Sequence, residues 1–125
     1  MNRILIVDDE PHVLRVLKMS LEREGYAVEV CGNGREALEI IQREHPDVLI
    51  TDIQMPLMDG EELCRTIEES MPQRRFLTFV LTSRTEIEHR EWSRDISNLQ
   101  FLEKPVSIRE LTEKLTNYSA SSAAN

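Results

Sequence analysis

Positive charge is in short supply in this sequence: 15 Lys and Arg stand against 23 Asp and Glu, for a formal charge of -8. Phosphate backbones recruit clustered cations, so direct nucleic-acid binding is not expected. Long apolar runs are missing as well. The run Ile4–Val7 is interrupted at once by Asp8-Asp9-Glu10, which neither a signal peptide nor a membrane span tolerates; a cytoplasmic chain with no membrane partner is expected. Cysteine is scarce, and Cys31 and Cys64 form no CxxC pair or Cys/His cluster, so both read as packed thiols rather than zinc or redox groups. His12, His45 and His89 are scattered and read as surface or edge residues, which directs the search for a metal toward oxygen ligands. No internal repeat is found.

What is present is enough for one domain: 125 residues, 40% hydrophobic and 30% charged. Apolar runs at Ile4–Val7, Ala27–Cys31, Val48–Thr51, Phe76–Leu81 and Leu99–Leu102 have the length and branched content of buried strands. Helical spacing lies between them, at Val13, Leu14, Leu17 and Leu21, at Ala37, Leu38 and Ile41, and at Leu63, Ile67 and Met71. Gly25 closes the first helix, Pro46 follows the second, and Asp59 with Glu62 caps the third. Ser107 and Glu110 open a last helix with the stripe Ile108, Leu111, Leu115 and Tyr118. Thr85–Asp95 is assigned as a helix on a poor pattern, with Ile87 and Trp92 its only large apolar residues. Arg74-Arg75 and Glu61-Glu62 read as solvated faces, and Ser119–Asn125 as a frayed tail or linker stub. Alternating strands and helices imply a parallel sheet covered on both faces, a three-layer α/β/α sandwich.

In such a sheet ligands bind beyond the carboxyl ends of the strands, where the winding reverses. Asp8-Asp9-Glu10 follow the first strand and Asp52 the third, so their carboxylates converge if the two strands are neighbours. Unpaired they repel, and a hard, oxygen-seeking cation such as Mg²⁺ (or Mn²⁺) resolves the repulsion. Acidic residues at strand ends often do no more than cap the next helix. Here the same edge also gathers Thr82, a hydroxyl donor, and Lys104-Pro105, a mobile ammonium beside a fixed backbone, and capping does not explain these together.

The segments Ile4-Leu5-Ile6-Val7-Asp8-Asp9-Glu10, Asp52-Ile53-Gln54-Met55-Pro56-Leu57-Met58-Asp59-Gly60 and Phe101-Leu102-Glu103-Lys104-Pro105, with Thr82 between the last two, resemble the response-regulator receiver domains of two-component signalling. The likeness covers nearly the whole chain and is to single-domain chemotaxis-type receivers. It implies a flavodoxin-like (βα)5 fold with strand order 2-1-3-4-5. With the aperiodic Ser/Ala-rich tail set aside, the receiver is expected over residues 1–118, with 119–125 a flexible tail or linker stub. By the same resemblance Asp52 is the phosphoacceptor, taking a phosphoryl group from a sensor histidine kinase or phosphotransfer protein. Asp9 and Asp52 hold Mg²⁺ through side chains, Gln54 through its backbone carbonyl and Asp8 through water. Lys104 clamps the phosphoryl oxygens and Thr82 bonds to them. Thr82 and Phe101 form a switch that biases an output surface for a downstream protein target. Such a chain is a signalling phosphoacceptor, not an enzyme acting on a separate substrate.

The match departs in places. Ser97-Asn98 stand where the family usually has Gly-Ala, Val106 follows Lys-Pro where an aromatic is common, and Gln54 and Arg84 occupy positions that influence phosphate lifetime. A phosphatase using an aspartyl phosphate would want a second acid at Gln54. A flavin or nucleotide module would want a Ser/Thr/Gly-rich loop where Asp8-Asp9-Glu10 stand. A receiver-like interaction module that is never phosphorylated is the remaining alternative, and the choice between monomer and homodimer stays open.

Overall fold

The structure is a computed structural model that describes residues 2–87 and 89–124. Five strands, β1 (Arg3–Val7), β2 (Ala27–Cys31), β3 (Val48–Asp52), β4 (Leu77–Thr82) and β5 (Leu99–Glu103), form one sheet in the order β2-β1-β3-β4-β5 with every pair parallel. This is the order the resemblance implies. Helices α1 (Pro11–Arg23), α2 (Gly34–Arg43), α3 (Gly60–Ser70), α4 (Arg84–Ile87) and α5 (Ile108–Ala124) complete the chain.

Alternate residues of a strand face opposite sides of the sheet, which accounts for two separate cores. Ile4, Ile6, Val48, Ile50, Phe79 and Leu81 pack with Leu17 and Leu21 of α1 and with Leu111 and Leu115 of α5. Leu5, Val7 and Leu49 pack on the other side with Ala37 and Ile41 of α2 and with Leu63 and Ile67 of α3. The inner strands are therefore apolar at consecutive positions, the mark of a sheet buried on both faces.

Helix ends follow local chemistry. Gly25 takes φ 95, a left-handed conformation that suits glycine, and its N–H returns to the Glu22 carbonyl at 3.0 Å. Asp59 caps α3 by accepting from the Glu62 N–H at 2.9 Å, and Ser107 accepts from the Glu110 N–H at 3.2 Å. Asn33 does the same for α2 through the Glu36 N–H at 2.8 Å, a cap the sequence reading did not pick out.

Three expectations are corrected or extended. The helix expected over Thr85–Asp95 is one turn, α4, followed by a 3-10 turn at Glu91–Ser93. Two large apolar residues give no stripe along which a longer helix could bury itself. Arg74 is not on a solvated face: its side chain is 1% exposed, lies over the Phe76 ring and bonds Glu68, Met71 O and Ser97 O. The helical backbone of α5 continues through the Ser/Ala-rich residues to Ala124, where a frayed tail was expected; Ala is a strong helix former and offsets the missing periodicity. Among the described residues no helix is long and apolar enough to cross a membrane.

Candidate functional site

The register decides which side chains meet. Val7 pairs with Cys31 on one side and Thr51 on the other, Asp52 with Leu81, and Thr82 with Glu103. The residues at or just beyond these positions, Asp8, Asp9, Asp52, Thr82 and Lys104, therefore share the carboxyl edge of the sheet. The winding reverses at β1, which lies between β2 and β3, and the acidic residues sit at that point.

Asp8, Asp9 and Asp52 each offer an oxygen within 4.8 Å of the others. Asp8 and Asp52 are 2% and 5% exposed, while Asp9 faces solvent. Asp52 Oδ1 accepts from the Ile53 N–H at 2.8 Å and from Lys104 Nζ at 2.7 Å. Asp8 Oδ1 accepts from the Glu10 N–H at 2.9 Å. Burial raises the pKa of Asp8 above the ordinary carboxyl value; the Glu10 N–H opposes the rise and the charge of Asp52 adds to it. Partial burial would lower the Lys104 ammonium, yet its hydrogen bond to Asp52 and the charges of Asp52, Asp8 and Glu86 outweigh that and raise it. One ammonium among three carboxylates leaves a residual negative charge. The donor set is all oxygen and closely spaced, which fits a hard divalent cation.

Thr82 ends β4 fully buried, and its hydroxyl donates to the Ser83 carbonyl at 3.1 Å. Its own carbonyl accepts from the Lys104 N–H at 2.7 Å, tying the ends of β4 and β5 together. Gln54 lies exposed in the loop after β3, and Phe101 lies half-buried on β5. Trp92 meets the Phe101 ring edge to face, with centroids 5.7 Å apart, so the 3-10 turn is anchored on that ring. The geometry thus brings Asp8, Asp9, Asp52 and Lys104 into one cluster and leaves Thr82, Gln54 and Phe101 around it.

Two residues that support the site escaped the sequence reading of roles. Gly60 starts α3 against the end of β3: its N–H donates to the Ile53 carbonyl at 2.7 Å, and a side chain there would collide with the Asp52 carbonyl oxygen. Glu86 bonds the Ser83 N–H at 2.8 Å while its own N–H donates to Ser83 Oγ at 3.2 Å. The Ser-x-x-Glu spacing that revealed the start of α5 also stood at Ser83–Glu86 and could have found it.

An apolar groove of about 550 Å³, lined by Val13, Val16, Leu17, Pro105, Val106 and Ile108, opens beside Asp8 and Lys104. A larger hollow of about 890 Å³, near His45, Pro72 and Tyr118, lies toward the amino ends of the strands and touches none of the clustered carboxylates. Cys31 and Cys64 are buried, and burial pushes both thiols up to about 12, which keeps them out of the chemistry at neutral pH.

Comparison with known proteins agrees with this geometry. Residues 4–116 match the family described as the response regulator receiver domain. The response regulator MprA of Mycobacterium leprae is 38% identical over 113 residues, which is 90% of this chain and 49% of that protein. The chain thus spans about half the length of the curated relatives it matches. The chemotaxis response regulator CheY4 of Vibrio cholerae superposes with a TM-score of 0.84 at 29% identity, covering 94% of this chain and 98% of that one. The response regulator TrrA of Thermotoga maritima, solved in complex with Mg²⁺-BeF, gives 0.81 at 32% identity over 94% and 98%. This chain belongs to the response-regulator receiver family of two-component signalling, with a flavodoxin-like fold.

Proposed function

We propose that the chain is a phosphoacceptor that takes a phosphoryl group onto Asp52 from a sensor histidine kinase or phosphotransfer protein. The observation that carries this reading is the 2.7 Å pairing of Lys104 Nζ with Asp52 Oδ1 inside a cluster of three carboxylates. The Ile53 N–H and Lys104 hold Oδ1, leaving Oδ2 to bond to phosphorus as the phosphorus–nitrogen bond of the donor breaks and its imidazole leaves. Lys104 then faces the equatorial oxygens that gather negative charge, and Thr82, freed from the Ser83 carbonyl, donates to one of them. Asp9, Asp52 and the Gln54 carbonyl, with Asp8 through water, would hold Mg²⁺ or Mn²⁺, which supplies positive charge against the phosphoryl oxygens when bound.

The apolar groove between α1 and the loop after β5 borders Lys104 and suits a helical face of the phosphoryl donor. Thr82 and Phe101 act as the switch, coupling the phosphoryl group to an output surface around α4, β5 and α5 for a protein target or a second copy of the chain. The reaction consumes the chain's own carboxylate, so the protein signals and does not turn over a separate substrate. A cytoplasmic setting, and a receiver over residues 1–118 followed by a tail or linker stub over 119–125, go with this reading.

Trp92, the sole tryptophan, rests on Phe101 and so reports on the switch. Beryllofluoride with Mg²⁺, which mimics a bound phosphoryl group, should change its emission saturably in the wild type and leave Asp52→Asn unchanged. A wild type that never responds, or a mutant that responds equally, would contradict the assignment.

A further inference from the structure

Glu86 has no role in the reaction described so far, yet it is fixed beside it. Its carboxylate is not free to swing: Oε1 accepts from the Ser83 N–H at 2.8 Å while the Glu86 N–H donates to Ser83 Oγ at 3.2 Å, a reciprocal box on a single turn. The box starts one residue after Thr82, whose carbonyl holds the Lys104 N–H at 2.7 Å. Glu86 is half-buried, so its charge is only partly screened by solvent. The turn after β4 therefore adds a further carboxylate on the α4 side, outside the cluster of Asp8, Asp9 and Asp52.

We propose that Glu86 is a positioning residue that slows phosphorylation, its anchored carboxylate opposing the phosphoryl group and competing with it for Lys104. The inference rests on Asp52 being the phosphoacceptor and deepens that reading. Phosphoryl transfer brings additional negative charge to the edge, and Lys104 has to turn from carboxylates to phosphoryl oxygens. A fixed negative charge beside Lys104 disfavours both the approach of an anionic donor and the charge that gathers on the equatorial oxygens. Glutamine at this position keeps an oxygen for the Ser83 N–H and removes only the charge.

The test is the rate of labelling by acetyl phosphate with Mg²⁺, in which an Asp52 oxygen bonds to phosphorus, the phosphorus–oxygen bond to acetate breaks and acetate leaves. Glu86→Gln is expected to label about 2- to 5-fold faster than wild type at low salt, as for one partly screened charge, with the gain shrinking toward none in high salt. Glu86→Ala, which loses the hydrogen bond as well, separates charge from structure. A Glu86→Gln rate equal to or below wild type at low salt would overturn the proposal. So would a gain that is the same at every salt concentration, since a merely loosened turn would give that. If wild type and variant both stay unlabelled while a control receiver is labelled, the phosphoacceptor reading itself falls, and this inference with it.

Discussion

Gly60 stands where a single methyl group would disturb Asp52. A Cβ on it would meet the Asp52 carbonyl and approach the Ile53 Cα to 2.9 Å, and these are backbone atoms that cannot rotate aside. Gly60→Ala should therefore destabilise by about 1–3 kcal/mol, the usual cost of overpacking, and slow labelling of Asp52 as well. Urea unfolding together with the labelling rate checks both parts. Asp8 works in the opposite sense. Burial, with Asp52 adding, raises its pKa in the folded state, so the folded chain holds that proton more tightly than the unfolded chain. The ionised carboxylate thus opposes folding at neutral pH, and the opposition fades as the pH falls through the raised value. Asp8→Asn should raise the urea midpoint near pH 7 and give a smaller gain in acid. Mg²⁺ should stabilise the wild type more than this variant, because a ligand of the folded state stabilises more the further its concentration exceeds its Kd, and the variant binds it more weakly. The cluster residues were legible from the sequence because each sits within two residues of the end of an apolar run. The hydroxyl direction of Thr82 was not, since it depends on a hydrogen bond formed only once the turn after β4 closes.

At the level of elements, the connection into β5 departs most from what the sequence suggested. Ser97-Asn98 stand where the family commonly has Gly-Ala, and the structure shows what holds them. Glu68 of α3 accepts from the Ser97 N–H at 2.9 Å and the Ser97 hydroxyl at 3.0 Å, while Arg74 donates to the Ser97 carbonyl at 2.6 Å. Asn98 takes the left-handed conformation, φ 53, and its side chain donates to the Arg74 carbonyl at 3.3 Å. The hydrogen bond from Ser97 N–H, followed by those from Arg74 and the Ser97 hydroxyl, lowers the Glu68 carboxyl pKa despite some desolvation. A lowered folded value means that this stability is present above the unfolded pKa and is lost as the pH falls through the folded one. Glu68→Ala would leave the Arg74 guanidinium buried without its carboxylate and should cost roughly 2–4 kcal/mol, a loss visible in thermal unfolding at neutral pH and smaller in acid. The bonds lie 23 to 29 residues apart in sequence, and that separation explains why Arg74-Arg75 looked like a solvated pair. The opposite failure occurred at Thr85–Asp95, where a helix was expected by alternation alone and the apolar residues to support it were absent.

Across the whole molecule, the strands and four of the five helices followed from period and punctuation, because a sheet buried on both faces writes its strands as apolar runs. Strand order did not follow from those runs; it came from the resemblance, and the pairing of β1 with both β2 and β3 realises it. That order makes distant residues into one site, with Asp8 and Asp9 from one end of the chain, Asp52 from its middle and Lys104 from its last strand. Relatives such as MprA are about twice as long as the matched region. The central claim is the covalent one, and intact mass after incubation with acetyl phosphate tests it most directly. One phosphoryl adduct is predicted on the wild type with Mg²⁺, absent from Asp52→Asn and from a chelator-treated sample. Failure of the wild type to be labelled under conditions that label a control receiver, or an adduct that survives Asp52→Asn, would contradict the account.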